Sequence, residues 1–344
     1  MLSFFRWVLF FILLFVTLIG GGLFFGHEIM VQQGPLEATK RVVIPRGAGP
    51  ATMAKVLHEE GVIGYPLLFR VALMIDPTPK PIKAGEYEVP AHTSMLSLVE
   101  LLQSGKMVQR RLTVPEGMTT PEILDLVRKA DALTGEITVD VKEGDLLPET
   151  YFYSRGDTRD QLLLRMKEAM DKTVDEAWRR RSAGLPLVNR REVVILASMI
   201  EKETAIPAER PKIAAVFVNR LRLKMKLESD PTVIYGLTGG KNNLGRDLTR
   251  ADLQSASGYN TYVVPGLPQG PICNPGRASI LAATNPTPRD HSLYFVADGQ
   301  GGHVFSTNVY QHARNVERWK EIQRQRQEQG PSATSTPAPA PAKP

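Results

Sequence analysis

Arg191–Thr204 reads R-E-V-V-I-L-A-S-M-I-E-K-E-T. From Val193 to Ile200 every residue except Ser198 is apolar, and neither Gly nor Pro interrupts the run. Such a segment suits a buried strand or a helix buried on most sides. Its flanks favour the helix. Asn189 offers an N-cap, Glu192 stands three residues on as a capping-box partner, and Pro207 ends the turn pattern at Ile206.

Two carboxylates close the run, Glu201 and Glu203, with Lys202 between them. Residues two apart on a helix project ~200° from one another. Glu201 then continues the Val194–Ala197–Ser198 face and Glu203 the Leu196–Met199–Ile200 face. An acid at this place meets apolar surroundings and the negative pole of the helix C-terminus, both of which favour its protonated, proton-donating form. The same three letters equally suit solvated residues in a last turn, and their spacing alone does not decide.

Upstream lies a threefold echo. I-P-R-G-A-G-P-A-T-M-A-K-V-L from Ile44, V-P-A-H-T-S-M-L-S-L-V-E-L-L from Val89 and V-P-E-G-M-T-T-P-E-I-L-D-L-V from Val114 each read as a short strand, a turn, a cap and a helix. Strand, capped helix and Gly61-Val62-Ile63 resemble the small glycan-binding LysM module over 41–110. A generic α+β packing unit is the plainer reading. Further upstream, Trp7–Phe25 is apolar except for Thr17 and the indole N–H. At ~1.5 Å per residue it spans ~28 Å, about the hydrocarbon thickness of a bilayer. It is longer than a signal-peptide core and lacks a small-x-small cleavage site. A retained membrane anchor is expected over 7–25, with residues 1–6, including Arg6, on the cytoplasmic side and the bulk outside.

The chain of 344 residues, 42% hydrophobic, is long enough for roughly two domains. Its net charge of +6 is dispersed and comes with no nucleic-acid-binding motif, so no nucleic-acid partner is expected. The single cysteine, Cys273, excludes an intrachain disulfide. No His/Asp/Glu cluster has metal-ligand spacing and no phosphate-cradling Gly loop precedes a helix, so neither metal nor cofactor is expected.

Glu143–Tyr153 leads into an amphipathic helix with Leu162, Leu163, Met166, Met170 and Val174 as its stripe and Trp178 at its close. Glu149 and Tyr151 are candidates to line a cleft. Beyond the central run a second helix covers 210–225, and L-E-S-D-P-T-V-I-Y-G places Asp230 at a cap and Val233–Tyr235 in a strand or short helix. Two irregular loops follow: S-A-S-G-Y-N-T-Y at Ser255–Tyr262 and V-P-G-L-P-Q-G-P-I-C-N-P-G at Val264–Gly276. Long irregular loops in a compact domain are often binding elements, and tyrosines beside Asn and Thr suit a sugar. Residues 279–284 read as a helix, and H-S-L-Y-F-V-A-D-G with H-V-F-S-T-N as a hairpin around Gly299–Gly302. His303 follows that turn, where it lines a cleft or merely satisfies the turn. The Pro/Ala-rich tail, 325–344, is expected to be disordered.

The ordered blocks A-S-M-I-E-K-E-T, E-S-D-P-T-V-I-Y-G, Y-N-T-Y, G-L-P-Q-G-P-I-C-N-P-G, L-Y-F-V-A and G-G-H-V-F-S-T-N resemble the endolytic murein transglycosylase (YceG-like) family, closely over 185–320. The resemblance implies an α+β chain: one transmembrane helix, a LysM-like module, and a catalytic domain at 111–320 with a long Pro/Gly loop and a hairpin. It implies an inner-membrane enzyme with a periplasmic body that cuts peptidoglycan strands internally, leaves 1,6-anhydro-muramyl ends and terminates nascent strands beside cell-wall synthases such as penicillin-binding proteins. Its acid/base glutamate maps to Glu201 and its second glutamate to Glu203. Asp230, Tyr235, Tyr259, Asn260, Thr261, Tyr262, Asn274 and His303 are the candidate substrate contacts. Met199 and Gln269 depart from the family pattern without removing a group the reaction needs. One acid suffices if the muramyl C6 hydroxyl closes the ring itself, whereas ordinary glycosidases need two. The rivals are a hydrolytic muramidase with Asp230 as base, a Cys273 nucleophile with His291 or His303, and a non-catalytic glycan-binding scaffold.

Overall fold

In the computed structural model, which describes residues 2–76 and 80–328, the central run is helix α7, Arg190–Glu203. The helices before it are α1 (Leu2–Val31), α2 (Pro50–Glu59), α3 (Pro66–Ile75), α4 (Met95–Ser104), α5 (Thr120–Lys129) and α6 (Arg159–Arg179). After it come α8 (Arg210–Arg222), α9 (Asp230–Thr238), α10 (Arg277–Thr284) and α11 (Val309–Glu328). The strands are β1 (Lys40–Ile44), β2 (Gly85–Val89), β3 (Gln109–Thr113), β4 (Thr150–Ser154), β5 (Tyr294–Ala297) and β6 (His303–Ser306), joined as the pairs β1–β2, β3–β4 and β5–β6. The fold is mixed α+β with one long apolar N-terminal helix.

The chain folds into two units. The first runs to Leu112 and takes in Asp131–Glu136 and Phe152–Thr158; the second holds Thr113–Ala130, Ile137–Tyr151 and everything from Arg159 on. In the first, β1 and β2 pair antiparallel with Val42 opposite Tyr87. Val42, Ile44, Tyr87 and Val89 turn inward onto Leu57, Phe69, Leu98 and Leu102. Tyr87 is fully buried, and its hydroxyl donates to the carbonyls of Lys83 (2.8 Å) and Leu102 (3.2 Å), so its polar end is satisfied. Buried Glu86 faces Arg110 at 2.7 Å and Arg155 at 3.1 Å, and the bond to Arg110 outweighs desolvation to hold its carboxyl below the usual range. The last turn of α1 enters this core through Met30.

The three strand–helix echoes all form, as β1–α2, β2–α4 and β3–α5. Only the first two pair with each other; β3 takes β4 instead. The start of α5 is a true capping box, with Thr119 N donating to Glu122 Oε2 at 2.8 Å. Helix α3 and strand β4 had no separate signal in the chain's pattern.

In the second unit α7 is the axis. Every residue from Val193 to Ile200 is buried, because α6, α8, α9 and α10 pack around it. Asn189 caps it through Glu192 N (2.9 Å), while the Glu192 carboxylate reaches one residue further back, to Val188 N (2.8 Å). The helix ends at Glu203, earlier than Pro207 suggests, since Thr204 is already extended. The Asp230 segment, open between strand and helix in sequence, is helix α9. The hairpin pairs Tyr294 with Ser306 and Ala297 with His303. Helix α11 carries residues 325–328, and the rest of the Pro/Ala-rich tail lies outside the described residues.

Candidate active site

Ser198, the polar residue inside the apolar run, explains how the Pro/Gly loop is positioned. Its Oγ donates to Ile195 O at 2.7 Å and accepts Ile272 N–H at 3.0 Å, so the loop is tied to the centre of α7. Two more backbone bonds, Gly117 N to Asn274 O (3.1 Å) and Asn274 N to Met118 O (2.8 Å), bring the Val114-Pro-Glu-Gly turn against the same loop. Gly117 is left-handed, with φ of 79°, where glycine is favoured.

Glu201 sits where these segments meet, its side chain 4% exposed. Arg210 Nη2 donates to Glu201 Oε1 at 2.9 Å, and Gly276 N, at the start of α10, donates to Oε2 at 2.8 Å. The same Nη2 reaches Glu116 Oε2 at 3.1 Å, so one guanidinium nitrogen serves two carboxylates. This is not the bidentate fork that arginine makes with a single acid; Arg210 Nε, also buried, has no hydrogen-bond partner among the described residues.

Glu203 points to a different set of partners, as a ~200° separation requires. Ser229 donates its hydroxyl to Glu203 Oε1. Burial is the main influence on this acid, and nearby Asp230 adds to it; the Ser229 bond and His303 oppose them, leaving the carboxyl raised to about 7. The effect expected at the tail of the central helix is therefore seen at Glu203. Glu201 instead faces the Arg210 guanidinium and the Gly276 N–H.

The remaining candidates divide by location. Asp230 is exposed and accepts the Tyr262 hydroxyl at 2.7 Å, close to Glu203. His303 is fixed by Glu209, which accepts from the His303 backbone N–H and contacts Nδ1, both at 2.8 Å. Tyr235 packs against Tyr259 with ring centroids 4.8 Å apart. The Tyr235 hydroxyl donates to Glu143 Oε2 at 3.1 Å; burial first, then that carboxylate, pushes its pKa up. Asn260, Thr261 and Asn274 have no exposed surface. Asn260 Nδ2 donates to Ser255 O (2.9 Å), Thr261 Oγ1 meets Thr232 Oγ1 (2.8 Å), and Asn274 Nδ2 donates to Glu143 Oε1 (2.9 Å). These three hold the loops rather than offer side chains to a ligand. Glu149 pairs with Arg277 (3.1 Å), and the Tyr151 hydroxyl is taken by Leu147 O (2.7 Å).

Sequence reasoning overlooked Glu116, Glu143 and Arg210. Glu143 is a carboxylate whose pKa burial raises, with Thr120 N (2.8 Å), Asn274 and Tyr235 on its oxygens. Cys273 is fully buried, which drives its thiol well above the usual range, and the Sγ lies 3.4 Å from Ser198 O. That is the setting of an inert thiol, not of a nucleophile. Among the described residues no group of three His, Cys, Asp or Glu side chains is placed to hold a metal ion.

An α+β chain with an acidic pair at the end of a buried helix now has a family. Residues 42–318 match the YceG-like family, and the chain belongs to it. It is 29% identical to the endolytic murein transglycosylases of two Streptococcus pneumoniae strains, D39 and R6, over 88% of this chain and 63% of each relative. It is 28% identical to the Bacillus subtilis strain 168 protein of the same name, over 88% of this chain and 91% of that one. The chain thus spans less than two thirds of the streptococcal relatives. A crystal structure of a YceG-like protein from Listeria monocytogenes superposes with a TM-score of 0.50 at 29% identity, covering 81% of this chain and 99% of that one.

Proposed function

We propose that this chain is a membrane-anchored lytic transglycosylase that cuts the bond from N-acetylmuramic acid to N-acetylglucosamine inside peptidoglycan strands. The observation that carries the reading is Glu201, almost wholly enclosed yet held at both oxygens by Arg210 and Gly276. The names of the relatives point to the same substrate.

In the first half-reaction Glu201 protonates the leaving glycosidic oxygen. In the second it takes the proton of the C6 hydroxyl as that oxygen closes onto C1, leaving a 1,6-anhydro end without adding water. Shared Arg210 suits this cycle. When Glu201 carries its proton, Glu116 still neutralises the guanidinium; when Glu201 is charged, Arg210 and the Gly276 N–H stabilise it. Ring closure within one sugar has the proximity advantage that makes a second carboxylate unnecessary. Asp230, Tyr262 and His303, around Glu203, and the Tyr235–Tyr259 pair are the proposed sugar contacts.

Helix α1 has 30 residues, ~45 Å at ~1.5 Å each, more than the ~30 Å hydrocarbon layer. Its exposed surface is almost entirely apolar. We read it as an inner-membrane anchor with the amino terminus cytoplasmic, the 41–110 segment as a LysM-like module, and strand termination beside cell-wall synthases as the role.

Muropeptide analysis of digested sacculi tests the reading: Glu201→Gln abolishes anhydro ends. The raised pKa of Glu203 favours a second assignment, with Glu203 as proton donor. Anhydro ends that survive Glu201→Gln and vanish with Glu203→Gln establish it. Incorporation of labelled water at the new end identifies a hydrolase instead. Intact glycan strands after incubation with the wild-type chain leave only the scaffold reading.

A further inference from the structure

Lys202, the residue after Glu201 on α7, stands in the wall of a second-unit cavity of about 210 Å3, with Thr119, Glu122, Tyr235, Asn242 and Asn243. Its two charged residues differ in their commitments. The Glu122 carboxylate is occupied by Thr119, accepting from N at 2.8 Å and from Oγ1 at 3.0 Å. Lys202 is exposed and has neither a hydrogen bond nor an ion pair among the described residues. A Cβ at Gly117 would stand 3.6 Å from Glu201 Cγ and 4.0 Å from Lys202 Nζ, so acid and ammonium share one glycine as neighbour. A lysine in the last turn of a helix complements the helix dipole, but that role does not place the residue in the wall of a cavity.

We propose that this cavity is an anion subsite, in which Lys202 receives a carboxylate carried on the sugar whose glycosidic bond Glu201 cleaves. The inference rests on the transglycosylase reading above. The sugar rings of murein are neutral. Charge enters through the lactyl arm on O3 of the muramyl unit, which ends in a free carboxylate or in a peptide that carries its own. O3 lies two ring carbons from the C1 under attack, so the arm falls close to the acid. At ~30 Å3 per water the space equals about seven waters, room for a short acidic arm flanked by the Asn242 and Asn243 amides. The carboxylate sources, lactyl or peptide, share this chemistry.

The test is ligand titration of the full-length chain carrying Glu201→Gln, which binds without turnover. It is compared with the same chain also carrying Lys202→Met or Lys202→Arg. Three soluble probes are used: the neutral N-acetylglucosamine tetramer, the muramyl-containing tetramer with free lactyl carboxylates, and that tetramer with stem peptides. One or both acidic probes are expected to bind about tenfold tighter than the neutral one, with added salt removing the advantage. Lys202→Met brings the ratio below about twofold, and Lys202→Arg keeps most of it. An advantage confined to the peptide-bearing probe identifies the peptide as the source; an advantage of the free-lactyl probe identifies the lactyl arm. Equal affinity for all three probes, or an equal loss across all three with Lys202→Met, overturns the subsite. Failure of every probe to bind overturns the transglycosylase reading itself.

Discussion

Ser198 and Ile272, far apart in the chain, are joined by a buried hydrogen bond of 3.0 Å from the loop backbone to the helix side chain. Gly276, which holds Glu201, lies in the same loop. Ser198→Ala leaves the Ile272 N–H buried without an acceptor, at a cost of about 1–3 kcal/mol. Urea denaturation should show that loss, and turnover should fall by more than the unfolded fraction explains. Wild-type stability in the variant would mean that the tether does not hold the loop.

Glu203 makes stability depend on pH in the direction opposite to most carboxylates. Its folded value of about 7 lies above the ordinary 4.5, so between those limits the folded chain holds a proton that the unfolded chain has released. This group's contribution is complete below about pH 4.5 and is lost as pH rises to 7, on the order of 3 kcal/mol in all. Glu203→Gln should flatten that slope in denaturation curves taken from pH 5 to 8. An unchanged slope would remove burial as the dominant influence on Glu203.

Arg210 is the only cation that touches Glu201 among the described ion pairs. Removing one partner of an enclosed pair costs about 3–5 kcal/mol because the other charge is left buried. Arg210→Ala should therefore lower stability by that amount and suppress turnover even at temperatures where the fold persists. A loss under about 1 kcal/mol with full activity would show that the pair is not enclosed in solution.

A Cβ at Gly276 would land on the Glu116 carboxylate. Glu116 is 42% exposed on a flexible side chain, so it can swing away and release Arg210, while Gly276 N–H stays on Glu201. Gly276→Ala should cost less than about 1 kcal/mol of stability, the scale of an exposed pair. The catalytic rate should nonetheless drop about tenfold with KM little changed. Full activity would show that Glu116 has no part in holding Arg210 ready.

What could be read from the chain was what is local. The apolar run with Asn189 as cap, the paired 294–306 strands and the three strand–helix echoes each carry their signal within a few residues. Strand β4 and helix α3 were missed: Thr150–Ser154 is too short to show alternation, and Pro66–Ile75 is apolar with little periodic contrast. The position of the acid pair is legible because it ends the central helix. Its partners are not, because Glu116 and Arg210 come from elements that only folding brings together, and a Val-Pro-Glu-Gly turn reads like any other. Arg210 did carry a clue: an arginine heading a helix rich in buried residues needs an acid to face. Asn260, Thr261 and Asn274 misled for the converse reason. Irregular backbone must find its partners, and those side chains turned inward to supply them: Asn260 donates to Ser255 O in its own loop, while Thr261 and Asn274 accept the N–H groups of Ser229 and Leu146 from other segments.

Met30 belongs both to the last turn of the long first helix and to the core of the first unit. No slack chain separates the two, so there is no swivel at that joint. Any tilt or spin imposed on the helix is passed directly to the strands and helices packed on its end, and whatever grips the one steers the other.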